Sequence, residues 1–190
     1  MRGSIIKKLQ FFRILSDGDE CQGIQPESKA TDYSFRNKPE RQSKNWQSQP
    51  YYIHNPLLKK TDFHPFLPYL YGIGQQSLDR MDFELGSLVE LLPIQVEDRG
   101  EEPFFLFNPV NFVDCLDLER TEKAKAGFIE KYAFRTDCFP GPSLFQISSG
   151  QTGLFCVTGF DDDTNDFYAA YHKANMRGLK FELVAEEAYV

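Results

Sequence analysis

The run FFLFNPVNFVDCLDLERTE, residues 104–122, contains the clearest strand signal in the chain. Its first residues, Phe104 to Phe107, are aromatic or branched apolar side chains closed off by Asn108 and Pro109. That composition suits a short buried strand better than a helix face. Asp114 and Asp117 follow among Phe112, Val113, Cys115, Leu116 and Leu118. This mixture reads as a strand running into a corner whose Asp carboxylates accept hydrogen bonds from nearby backbone amides. Similar short runs follow at GFIEKYAF (127–134), SLFQIS (143–148) and GLFCVTGF (153–160), each bounded by Gly, Pro or Ser. Together they predict a sheet built by local antiparallel connections.

Toward the C-terminus, DDDTNDFYAAYHKANMRG (161–178) predicts a helix. Phe167, Ala170, Tyr171 and Ala174 fall at helical spacing and form one apolar stripe. Asp163 or Thr164 is the expected N-cap, and Gly178 the stop before a last strand, LKFELV (179–184). Toward the N-terminus, IIKKLQFFRIL (5–15) predicts a first strand. Residues 25–50 are polar throughout, and are expected to be mobile or ordered only against something else. Trp46 within them either packs back on the core or serves a partner as an apolar anchor. The aromatic, proline-interrupted residues 51–77 read as an apolar covering strap. In 78–95, Leu85, Leu88, Val89 and Leu92 suggest a short helix ending before Pro93. VEDRGEEP (96–103) reads as a hairpin loop or other surface connection. The expected fold class is α+β, mainly antiparallel sheet with few helices and one clear C-terminal amphipathic helix. An N-terminal part, 1–102, and a C-terminal part, 103–190, are expected to form one compact unit.

The totals exclude several function classes. A chain of 190 residues with 41% hydrophobic side chains can bury one sizeable core. A formal charge of −7 argues against binding to a nucleic-acid duplex, which needs clustered Lys and Arg, and suits a basic protein partner. Cys21, Cys115, Cys138 and Cys156 are widely spaced with no Cys-x-x-Cys pair, the pattern of reduced thiols in a cytoplasmic protein. Lys7 and Lys8 interrupt any signal-peptide core, and no apolar run is long enough to cross a bilayer.

No catalytic constellation emerges. Asp114 and Asp117 could form an acid–base pair, but their surroundings favour a structural corner. The acids at 161–163 lack the alternate spacing, the glycine and the closing glutamate of a calcium loop. His54, His64 and His172 are too scattered for a metal motif, and nothing marks Cys115 or Cys138 as an activated thiol. GIGQQS (72–77) lacks the third glycine of a dinucleotide loop, and Ser143 in GPSLF lacks the glycine that follows a nucleophile elbow. No metal or other cofactor is expected.

The order and spacing of FFLFNPVNFVDCLDLERTE, FPGPSLFQI and GLFCV…DFYAAYHKANMRGLKFELV resemble the C-terminal half of immunity protein family 11 of bacterial polymorphic toxin systems. The features that carry the resemblance are Asn108, Asp114 through Asp117, Phe145, Gly178, Leu179 and Phe181, over residues 103–184. Gln146 stands where that family often has Arg, and residues 25–50 have no counterpart. The resemblance implies a non-enzymatic cytoplasmic protein that binds and neutralises a cognate toxin. On charge grounds a basic nuclease domain fits best. The expected contact residues are Asp161, Asp162, Asp163 and Asp166, with Glu186 and Glu187 as a second choice and Trp46 as apolar anchor. The alternatives are an enzyme acting through Cys115 or Asp114, and a small-ligand module with an aromatic pocket under Tyr69 to Gly74.

Overall fold

Side-chain alternation along a few strands sets the layering of the molecule. The computed structural model describes residues 7–17, 20–28, 33–148, 153–162 and 164–189. In β1 (Lys7–Ser16), Leu9 and Phe11 point to one face while Phe12 and Ile14 point to the other. In β12 (Leu154–Thr158), Phe155 and Val157 oppose Leu154 and Cys156 in the same way. β11 (Ser143–Ile147), the two-residue β8 (Phe112–Val113) and β13 (Leu179–Tyr189) complete a five-stranded sheet in the order β13-β1-β12-β11-β8. Burial on both faces explains why its central strands read as continuous apolar runs.

A second, six-stranded sheet has the order β2-β3-β6-β7-β5-β4. Its members are β2 (Gly23–Pro26), β3 (Pro50–His54), β4 (Phe63–Leu67), β5 (Leu70–Gly74), β6 (Val89–Val96) and β7 (Phe104–Pro109). Tyr71, Ile73, Val89 and Phe107 on one face meet Phe12, Ile14, Leu144 and Cys156 of the first sheet in a shared core. The opposite face carries Ile24, Tyr51, Leu70, Leu92, Ile94, Phe104 and Leu106. The sheet curls around this second cluster until its edge strands meet, so that a Cβ on Gly23 would lie 2.8 Å from the Pro65 carbonyl oxygen. Both parallel pairings, β8 with β11 and β3 with β6, are short, and the other strand pairs are antiparallel. A small ribbon, β9 (Glu122–Lys123) with β10 (Ile129–Lys131), lies in the connection that caps the outer face of the first sheet.

Among the described residues two α-helices accompany the sheets: α1 (Gln75–Arg80), and α2 (Phe167–Lys173), which adds Phe167, Ala170 and Tyr171 to the shared core. There Phe63 stands edge-on to Phe107 at 5.3 Å and to Phe167 at 6.2 Å, the quadrupole-favoured geometry. Each such ring removed from water stabilises the fold by about 1.5–3 kcal/mol. Gly178, between α2 and β13, has φ +110, and a Cβ there would lie 2.1 Å from the Phe63 carbonyl oxygen. Only glycine fits both conditions.

Several sequence expectations are corrected. Residues 51–77 are not a covering strap: they contribute β3, β4 and β5 to the curled sheet. Pro65 is accommodated because β4 is an edge strand. The helix expected before Pro93 is strand β6, which runs through that proline. β3 pairs with β6 only at Gln95 and Val96, so Pro93 lies where β6 is paired on one side, with β7. The N-cap of α2 is Asp166 and not Asp163 or Thr164. Of the polar segment, residues 33–49 are held against the curled sheet: the buried Glu90 carboxylate accepts from Gln42 N at 2.9 Å and Ser43 N at 2.8 Å. Residues 29–32 lie outside the described residues. Gln146, buried, donates to the carbonyls of Pro109 and Arg36, tying this segment to both sheets. Strand β1 belongs to the sheet of C-terminal strands and β7 to the sheet of N-terminal ones, so the chain crosses between sheets on both sides of residue 102.

Candidate functional site

The acids that precede α2 have three different fates. Asp166 is buried: Oδ1 accepts from Ala169 N at 3.0 Å and Oδ2 from the Thr158 hydroxyl, so it caps the helix and is closed to a partner. Asp162 is exposed and accepts from the Thr164 hydroxyl and from Thr164 N, and these bonds hold its pKa below the usual carboxylate value. Asp161 is exposed and pairs with Lys7. Asp163 lies outside the described residues.

Asp161 and Asp162 stand on the rim of a surface hollow of about 640 Å³. Glu84 joins them from the turn before β6, and Pro140, Pro142, Phe160 and Tyr189 stand in the walls among the polar Ser87, Ser143 and Thr164. Phe160 and Tyr189 meet edge to face at 5.3 Å, which fixes that wall. Asn165 fastens the opposite rim, accepting from Glu84 N at 2.6 Å and donating to Glu84 O at 3.0 Å. The backbone therefore aligns Glu84 with the two aspartates although about 80 residues separate them. None of the described residues lining the hollow is cationic. A rim of this kind over an aromatic and proline wall can take a partner's basic side chain, with its aliphatic stem against the rings and its charge beside Glu84 and Asp162, since Asp161 is paired with Lys7. Only Asp161 and Asp162 of this set were legible in the sequence; Glu84, Phe160, Tyr189 and the prolines are gathered by topology.

The remaining candidates have structural duties or stand apart. Trp46 packs beside Phe35 over the curled sheet and donates its indole N–H to Pro93 O at 2.8 Å, which places it with the core and not as a projecting anchor. Glu187 is a bolt of the fold: buried in β13, it accepts from Phe134 N at 2.9 Å and from Arg120 at 2.8 Å. Glu186 is exposed on the same strand, and Lys8 and Gln10 of β1 lower its pKa, Gln10 more strongly. At the opening corner, Asp117 accepts from Glu119 N and Arg120 N and pairs with the Arg120 side chain at 2.6 Å. Asp114 is exposed, and its backbone carbonyl receives Arg135 and Cys138. Burial pushes the Cys115 thiol up to about 12 and that of Cys156 well above its ordinary value. The thiolate is disfavoured at both.

No family model matches the sequence, and no curated protein does. Among the described residues, no group of three or more His, Cys, Asp or Glu side chains could hold a metal ion. No helix among them is long and apolar enough to cross a membrane.

Proposed function

We propose that this chain is a binding protein of the immunity type, which neutralises a basic protein toxin by covering its active surface. The observation that supports the reading is the hollow rimmed by Glu84, Asp161 and Asp162 with Phe160 and Tyr189 in its wall. It joins an apolar seat to negative charge in a chain of net charge −7. Acidic side chains steer the encounter with a cationic cleft and the apolar seat slows departure. The sequence resemblance adds the biological setting: a cytoplasmic protein produced against a toxin of the same cell or a sibling, with a nuclease the best-fitting target. Asp166, Glu187 and Trp46 are left out of the contact surface, because their polar groups are used within the fold.

The test is co-expression with the toxin encoded beside it, read as growth rescue and then as a purified complex. Rescue with a stable complex is expected. In that complex Asp161→Lys with Asp162→Lys should slow association by about tenfold or more at low salt, with little loss of folding, since both side chains are exposed and their bonds to Lys7 and Thr164 lie at the surface. Unchanged association kinetics would remove the hollow from the interface. Failure of both rescue and complex formation, against a toxin active on its own, would remove the immunity reading.

A further inference from the structure

On another part of the surface, where the start of β4 meets α1, the turn between β6 and β7 and the connection from α2 to β13, lies a cleft of about 460 Å³ that shares no residue with the hollow. In a chain of net negative charge its walls carry four cations, Lys60, Arg80, Arg99 and Arg177, against two carboxylates, Asp62 and Glu102. Arg80 and Arg99 each have a defined partner. Asp62 accepts from Ser77 Oγ at 2.7 Å, from Arg177 N at 2.9 Å and from Arg80, so three donors share this carboxylate and Arg80 is tethered to it. Arg99 donates to His64 Nε2 at 2.9 Å and lies over the Phe104 ring, 5.5 Å from its centroid.

The tautomer follows from the partners. A guanidinium has only donors, so Nε2 must accept, and His64 therefore donates its Nδ1–H to Gln22 O at 3.1 Å. The imidazole is neutral: burial, and after it the Arg99 charge, lower its pKa to about 4. It orients Arg99 while adding no negative charge to the cleft. Among the described residues Lys60 and Arg177 have no carboxylate within ion-pair distance, and both side chains are exposed. Between the cations the walls offer Thr61, Gln76, Ser77 and Asn175, all hydrogen-bonding groups, and Phe104 is the apolar exception.

We propose that this cleft binds a phosphate monoester carried on a small hydroxylated body. Planar guanidinium forks match the oxygens of a phosphate, and the excess of cations matches its double charge. A volume of about 460 Å³ exceeds the needs of an inorganic ion and lies in the range of small-ligand sites, about 300–1,000 Å³. The hydroxyl and amide groups of the wall suit a polyol better than an apolar ring. The inference does not rest on the occlusion reading.

Calorimetric titration of the full chain with glucose 6-phosphate, inorganic phosphate and glucose tests it. Glucose 6-phosphate is expected to bind more tightly than inorganic phosphate, and glucose to give no binding heat. Lys60→Gln with Arg177→Gln should weaken both anions by about tenfold or more, since two charge-assisted contacts are lost. Lys125→Gln, an exposed lysine outside the cleft, should leave them unchanged. Inorganic phosphate binding as tightly as the ester would overturn the hydroxylated body. No binding of either anion, or affinities untouched by the double variant in a chain that still unfolds like the wild type, would overturn the site.

Discussion

His64 shows how one side chain can serve the fold and a surface at once. Its Nδ1–H stitches β4 to Gln22 beside β2, where the curled sheet closes, and its Nε2 holds Arg99. A second proton would have to sit on Nε2, facing a guanidinium, and the nearby Lys60 opposes it further while Asp62 favours it. The folded imidazole therefore titrates at about 4 against 6.5 for the ordinary group. Between those values the unfolded chain binds the extra proton and the folded chain does not, so stability falls as pH drops through this window. The whole effect is about 3 kcal/mol, from a shift converted at ~1.4 kcal/mol per pH unit. Urea unfolding at pH 7.5, 6 and 5 should show about 2 kcal/mol of that loss by pH 5 in the wild type. In His64→Gln, neutral throughout, the slope should be flatter although the starting stability is lower. An equal slope in the variant would assign the acid sensitivity to other groups.

At the level of elements, β6 explains what the sequence could and could not convey. Val89, Leu91 and Leu92 crowd around Glu90 because the first half of β6 is covered on both faces, by the shared core and by the inside of the curl. A doubly covered strand fits a helical template as well as an alternating one, and Pro93 tipped the reading toward a helix end. Runs with cleaner boundaries, such as those that became β7, β11 and β12, were legible from residues alone. So was the Asp117 corner, because an Asp carboxylate over backbone amides is a local arrangement. Glu90 carried no local signal: its partners, Gln42 N, Ser43 N and Asn108 Nδ2, come from elsewhere in the chain. Glu90→Ala would leave two main-chain N–H groups without their acceptor, at about 1–3 kcal/mol for each that stays buried. The cheaper response is for residues 38–46 to leave the sheet. The single Trp46 reports this directly. Its emission should shift to the red, and trypsin should cut at Arg41 or Lys44 faster than in the wild type. Wild-type emission and cleavage rates in the variant would show that Trp46 and its neighbours hold the segment without Glu90.

For the whole molecule, the decisive feature is the placement of β1 between β12 and β13. Its Leu9 and Phe11 fill the outer core of the five-stranded sheet, and Phe12 and Ile14 fill the core shared by both sheets. The chain cannot close its C-terminal sheet without a strand made nearly 90 residues before β7 begins. Long-range pairing of this kind makes the two sheets stand or fall together. Trp46 emission, which reports the curled sheet, and far-UV circular dichroism, which reports all strands, should therefore give one coincident urea transition. A fragment of residues 103–190, the span over which the sequence resemblance runs, loses β1 together with Phe63, Tyr71 and Val89 of the shared core. β13 would then have no strand to pair with, and Phe155 and Val157 of β12 would lose Leu9 and Phe11 from their face. Such a fragment should show narrow amide dispersion and no cooperative melt, or aggregate through its open strands. A dispersed spectrum with a sharp melt from this fragment would show that the C-terminal strands form a sheet on their own, and that β1 only covers it.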